Sequence, residues 1–295
     1  MLPLLGCRSA DEGGGADVVA TTTQVADIAR NAAGEEAKVH GILPPDADPH
    51  DYEPRPSDAT AIAGAKLVLT SGGEVDAWID ELIESSGTDA RVVTLLDEVP
   101  ATRTDGGDTD PHWWHDPRNA IAAAQVIGEE LAAADPARAA SYEGNAAAYV
   151  RTLTRLDRMI ADCIDLFPAS ARKLVTAHDS LGYFADRYGI DVVGSALPAL
   201  STQAQPSSGE TAELVDLIRE SGVRAVFPEA GLSGELEAAI ANEANVSVGG
   251  ELYADSLGED GTAGATYAGA LAANASTLAE ALSNGARDCG FPGAE

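Results

Sequence analysis

The sequence is poor in basic and aromatic side chains, has few cysteines, and contains no long apolar run. Lys and Arg number 18 against 48 Asp and Glu, a formal net charge of −30. Such a chain repels nucleic-acid phosphates and anionic headgroups alike, which excludes nucleic acid as a partner. The same charge attracts cations, but acidity spread over a whole chain is weak ground for a cationic ligand, so any ligand has to be argued from particular residues. No stretch of about 18 apolar residues exists, so no segment reads as a membrane-spanning helix. Aromatic residues are 5% of the chain and hydrophobic residues 45%. Over 295 residues that share suffices for one large domain or two of ordinary size, and two lobes are expected.

The three cysteines are Cys7, Cys163 and Cys289. Cys7 closes the run Leu4-Leu5-Gly6-Cys7, which reads as a bacterial lipobox whose Cys carries a lipid anchor. The Gly-rich residues that follow have the composition of a flexible tether, so residues 1–16 form the first segment. Export to an oxidising compartment then makes a Cys163–Cys289 disulfide the simplest arrangement, the alternative being two free buried thiols.

From Asp17 onward short β-rich runs alternate with helical stretches, the pattern of parallel sheets with right-handed crossovers. The spacing predicts strands at 18–22, 38–43, 67–70 and 92–95, with helices at 24–33, 59–65 and 75–85 between them. A second set follows, with strands at 173–176, 191–195, 225–228 and 246–249 and helices beginning near Ser180, Glu210, Ser233 and Thr262. The fold class is α/β: two lobes, each with a parallel sheet flanked by helices, joined by a long rigid helix. The expected boundaries are 17–135 for the N-terminal lobe, 136–167 for the connecting helix and 168–295 for the C-terminal lobe. Residues 119–134 and 136–167 read as helix with almost no break, Pro136 being suited to a first turn.

Histidine is scarce too, with five in the chain, and their positions are informative. The tripeptide Asp-Pro-His occurs twice in loops, at Asp48-Pro49-His50 and Asp110-Pro111-His112. Each His follows a Pro whose fixed φ lowers the entropy lost when the side chain is ordered. His178 follows a strand at the carboxyl end, where open parallel sheets place their ligands, and Asp255 lies in a matching position after the last strand. Three imidazoles and one carboxylate suit zinc in a tetrahedral shell. Manganese favours oxygen-rich shells, although a bidentate Asp255 accommodates it, so Mn2+ is the alternative to Zn2+.

Taken singly, His178 is more ordinarily a satisfied polar residue and Asp255 a turn or cap residue. His40, inside a strand pattern, reads as structural. His115, beside the N-cap pair Asp116-Pro117, reads as an exposed neighbour or a group backing the ligands. Trp113 and Trp114 read as packing residues placed to shield an ion at His112 from water. Asp179 and Ser180 read as helix caps. Glu229, at the end of its strand, points toward the same cleft and is placed to orient a ligating imidazole. Glycines 106 and 107 near His112, and Gly249, Gly250 and Gly258 near Asp255, mark these two loops as the mobile ones.

Four segments carry a family resemblance. They are Leu43-Pro44-Pro45-Asp46-Ala47-Asp48-Pro49-His50-Asp51-Tyr52-Glu53-Pro54, Asp110-Pro111-His112-Trp113-Trp114-His115-Asp116-Pro117, Thr176-Ala177-His178-Asp179-Ser180-Leu181-Gly182-Tyr183-Phe184 and Leu252-Tyr253-Ala254-Asp255-Ser256-Leu257. In this order, across nearly the whole chain, they resemble the zinc/manganese substrate-binding proteins of ABC transporters, periplasmic receptors with a helical backbone. The resemblance implies metal ligands at His50, His112, His178 and Asp255, the permease of an ABC importer as partner, and residence outside the cytoplasm on a lipid anchor. The chain is expected to act as a monomer. Manganese members tend to carry a carboxylate where this chain has His178, which favours zinc. Two features depart from the family: residues 102–109 are short and lack the His-rich loop of many zinc members, and His115 stands where the motif is usually apolar.

Two rival functions arise from the same residues. A zinc hydrolase keeps three protein ligands and a water, with Glu229 or Asp179 as base; four protein ligands leave that water no place, so the chain is expected not to be an enzyme. An adhesin or structural surface protein would use the metal only to stabilise its lobes.

Overall fold

The strands of the N-terminal half differ in burial in the way a parallel sheet requires. The computed structural model describes residues 17–100, 103–105, 107–283, 285 and 289–291; Cys7 and the tether of residues 1–16 lie outside the described residues. The half begins with β1 (Val18–Ala20), α1 (Thr23–Ala33), β2 (Val39–Gly41) and α2 (Pro56–Gly64). It continues with β3 (Leu67–Thr70), α3 (Ile79–Ser86), β4 (Arg91–Thr94) and the single turn α4 (Leu95–Glu98). The sheet runs β2-β1-β3-β4, all parallel. The central strands β1 and β3 are buried throughout, whereas the edge strands β2 and β4 are partly exposed. α1 starts where the Thr22 hydroxyl accepts the Val25 N–H and stops at Gly34, whose φ of 59° favours glycine. The helix expected at 75–85 is divided: Gly73–Asp76 is a 3-10 turn and α3 begins at Ile79.

A hairpin of β5 (Thr104–Asp105) and β6 (Asp108–Thr109) leads to α5 (Pro117–Ala134), a 3-10 turn at Pro136–Arg138, and α6 (Ala139–Ile164). The helix expected over residues 136–167 is therefore shorter at both ends. α5 folds back along α6, and Gly128 allows the close approach, since a Cβ there would sit 2.7 Å from that of Ala146. α6 buries Tyr142, Ala146, Tyr149, Leu153, Leu156, Ile160 and Cys163, a spacing of three and four that makes one continuous apolar stripe. Its 26 residues span roughly 39 Å at 1.5 Å per residue.

The C-terminal half contains β7 (Lys173–His178), α7 (Gly182–Tyr188), β8 (Asp191–Leu197), α8 (Ser208–Ser221) and β9 (Ala225–Val226). α9 (Glu235–Ala244), β10 (Ser247–Val248) and α10 (Tyr267–Ser283) complete it. β7 pairs with β8 and β9 with β10, both in parallel, and the Phe227 N–H donates to Val175 O at 2.9 Å to join the pairs. α10 starts at Tyr267, later than the expected Thr262. Asp179 and Ser180 are not caps: α7 begins at Gly182 with no side-chain cap, and Ser180 is buried in the turn before it.

Among the described residues the largest apolar cluster runs through both lobes, from Val25 and Leu67 through Leu153 and Ile160 to Phe184, Phe227 and Leu271. α1, α5, α6 and α10 thus form a spine shared by the two sheets. Cys163 and Cys289 are joined by a disulfide across a sequence separation of 126, beside Phe167 and Leu282. Among the described residues no helix is long and apolar enough to cross a membrane.

Candidate metal site

His178 ends a strand, and the other three candidate side chains lie in the connections that follow strands. His50 lies in a 3-10 turn, Pro49–Asp51, in the connection after β2, where the Asp48 carboxylate accepts the His50 N–H at 2.8 Å. His112 follows β6 and precedes the 3-10 turn Trp113–His115. His178 ends β7, and Asp255 lies in the segment between β10 and α10. The structure brings these four together, with one ligand-type atom from each within 4.8 Å of all the others.

Asp255 is the hub. Its Oδ2 lies 3.0 Å from His178 Nε2 and 3.3 Å from His50 Nε2, and its Oδ1 lies 3.5 Å from His112 Nε2. A tetrahedron with bonds of about 2.0–2.1 Å has edges of roughly 3.3 Å, so the contacts of Asp255 with the three imidazoles are close to the spacing of ligands around one ion. The Nε2 atoms of all three imidazoles and both Asp255 oxygens are buried with no well-angled hydrogen bond from the protein. Each such atom costs about 1–3 kcal/mol if left unsatisfied, a cost that a bound cation removes.

Carboxylates lie beside the opposite edges of two imidazoles. Glu229 Oε2 lies 2.9 Å from His178 Nδ1, and its Oε1 accepts the Asp255 N–H at 3.2 Å. Asp110 Oδ1 lies 2.8 Å from His112 Nδ1 and accepts the His112 N–H at 3.0 Å. A carboxylate on Nδ1 selects the tautomer whose Nε2 lone pair faces the cluster. Sequence reasoning had placed Glu229 here but missed Asp110, although the repeated Asp-Pro-His tripeptide was the available signal.

Burial opposes a charge on His178, but the Asp255 and Glu229 carboxylates outweigh it and raise its pKa well above the ordinary value. For Asp255, burial is likewise outweighed, here by His178 and His112, and its pKa is well below the usual carboxylate range. Burial and the neighbouring Asp255 push Glu229 upward.

Two expectations need correction. His115 is not exposed: it is buried against Trp114, both ring nitrogens lack a protein partner, and burial and then His112 lower its pKa to about 3. Trp113 turns away from the cluster and donates its indole N–H to Ser71, while Trp114 is the one beside His112, at 5.5 Å between ring centroids. Trp114 also donates its indole N–H to Ala254 O, which Gln24 reaches as well, and the Leu257 N–H donates to Thr23 Oγ1. From α10, Asn274 holds both backbone groups of Tyr253. The Asp255 segment is therefore pinned on both sides rather than loose. Gly249 and Gly258 serve close packing there, against Phe227 and against Thr262 and Tyr253.

A profile of the family described as "Zinc-uptake complex component A periplasmic" matches residues 18–281. The chain belongs to this family. Among its relatives is the manganese-binding lipoprotein MntA of Bacillus subtilis, 33% identical with 95% of each chain covered. Another is the iron-binding protein YfeA of Yersinia pestis, 34% identical over 83% of this chain and 79% of that one. The periplasmic zinc-binding protein TroA of Treponema pallidum superposes with a TM-score of 0.84 at 28% identity, covering 91% of this chain and 99% of the other. The two-lobed architecture with parallel sheets flanked by helices is thus that of a known family of metal-binding transport proteins.

Proposed function

We propose that this chain captures one divalent transition-metal ion, zinc in preference to manganese, through His50, His112, His178 and Asp255, and delivers it to the permease of an ABC importer. The observation that carries the reading is the convergence of three imidazole Nε2 atoms on one buried carboxylate, all without hydrogen-bond partners from the protein. The relatives named above bind manganese, iron or zinc by their names. The donor set favours zinc, because nitrogen-rich four-coordinate shells suit it while manganese prefers oxygen donors in greater number. Four converging protein donors support a carrier over a hydrolase, which keeps an open position for water. The word lipoprotein in the relatives' names supports anchoring through Cys7 on the outer face of the bacterial cell membrane. Metal analysis of protein purified without chelator tests the reading, followed by calorimetric competition. The expected result is one zinc per chain, displaced by manganese only at large excess. Equal competition by manganese overturns the choice of zinc, and absence of any bound transition metal overturns the receptor itself.

A further inference from the structure

The two Asp-Pro-His tripeptides are alike beyond their sequence. In each, one oxygen of the Asp carboxylate holds the backbone of the His two residues on, and the other oxygen is engaged from elsewhere. Asp48 Oδ1 accepts the His50 N–H at 2.8 Å, and Asp48 Oδ2 accepts the Thr202 hydroxyl at 2.6 Å. Thr202 lies in the loop after β8, in the opposite lobe. Asp110 Oδ1 accepts the His112 N–H at 3.0 Å, and Asp110 Oδ2 accepts Arg103 Nε–H at 3.0 Å. Arg103 in turn reaches across the cleft, donating from Nη1 to Asp186 Oδ2 at 3.1 Å on α7. Its Nη2 lies 3.8 Å from Asp179 Oδ1. The guanidinium rests on Gly182, where a Cβ would collide with it, so the first residue of α7 is shaped to receive it. The Tyr183 hydroxyl, also on α7, accepts the Arg103 N–H at 3.2 Å and donates to Asp110 O at 3.1 Å.

We propose that the paired tripeptides form a two-armed bracket: Asp48 through Thr202, and Asp110 through Arg103 and Asp186, tie His50 and His112 to the opposite lobe and so set how long the ion is held. The inference rests on the metal-receptor reading above. Thr202 and Asp186 are positioning residues, since neither touches the ion. Each arm closes only when both lobes are in place, so breaking it frees a ligand histidine to move without removing a donor atom. Loss of an arm therefore accelerates release, while association stays at the same rate because all four donor atoms are retained.

The test is stopped-flow release of zinc to a chelator from the full chain, with association measured alongside. Thr202→Val keeps shape and removes the hydroxyl; release is expected to quicken about two- to tenfold, the net worth of one hydrogen bond. Asp186, 69% exposed, should matter less, and Asp186→Asn is expected to quicken release about twofold. Thr202→Ser restores the hydroxyl and should restore the wild-type rate. A wild-type release rate in either variant, with zinc still bound one to one, overturns that arm and leaves the receptor reading standing. Faster release in Thr202→Ser as well, or slowed association in Thr202→Val, shows merely structural contacts and overturns the bracket. Wild-type protein that binds neither zinc nor manganese overturns the receptor reading and the bracket with it.

Discussion

The Asp255 carboxylate lies 3.0 Å from His178 Nε2, and each group holds the other in its charged form. In the metal-free chain a proton on His178 therefore stands where a cation belongs. Because His178 has a raised folded-state pKa, its contribution to stability is fully present below about 6.5 and is lost as pH rises through the folded value. Asp255, with a depressed pKa, contributes above about 3.9 and loses that contribution only as pH falls through its lowered value. Zinc must displace the His178 proton, so binding at neutral pH is expected to release about one proton. Calorimetry in buffers of different ionisation enthalpy measures it. The melting-temperature gap between zinc-loaded and metal-free protein should narrow from pH 8 to pH 6; a gap independent of pH counts against imidazole ligation.

Removing a donor and removing its support should differ in degree. Asp110→Ala leaves His112 in place but frees its Nδ1 edge, and zinc affinity is expected to fall about 10–100-fold. His112→Ala should cost more than that, because it removes one of the four donor atoms outright. Competitive chelator titration ranks the two. A His115→Ala variant that loses more affinity than His112→Ala contradicts the ligand set.

The Cys163–Cys289 disulfide closes a span of 126 residues and packs beside Phe167 and Leu282, in a cluster that includes none of the four ligands. Chain entropy assigns it about 5 kcal/mol at most. Replacing both cysteines by Ala is expected to lower the melting temperature on the order of 10 °C with zinc affinity unchanged, measured by calorimetry on the metal-free and loaded forms.

Gly249 is a packing position rather than a hinge, because a Cβ there collides with the Phe227 ring. Gly249→Ala should therefore destabilise by about 1–3 kcal/mol through overpacking. Urea unfolding gives the value, and a neutral or stabilising result assigns the residue to flexibility instead.

The spine formed by α1, α5, α6 and α10 carries one apolar cluster through both lobes, and α6 contains no proline and Gly144 alone as glycine. Large hinge rotation would have to break that packing. Zinc-loaded and metal-free forms are expected to share nearly the same small-angle scattering radius. Hydrogen exchange should slow on loading near His112 more than near Asp255, whose segment is already tied to Gln24, Trp114 and Thr23. A large compaction in scattering refutes the shared spine as a restraint.

Sequence alone determined most strands and helices, because those signals are local, and it pointed to the four converging residues only when they were taken together. Periodicity marked β3 at Leu67–Thr70 and α1 to within one residue, and the doubled Asp-Pro-His marked two of the four site residues. It also showed Asp116-Pro117 as a helix start, since a cap is made within one turn. Where the chain breaks was less legible: the turn at Pro136–Arg138 depends on α5 folding back onto α6, which helical periodicity does not record. Only the tertiary structure decided which indole faces His112, that His115 is buried, and that Thr202 and Arg103 brace the two tripeptides. Thr202 is 154 residues from Asp48 in sequence, and no local pattern encodes a hydrogen bond that exists only once two sheets share a core.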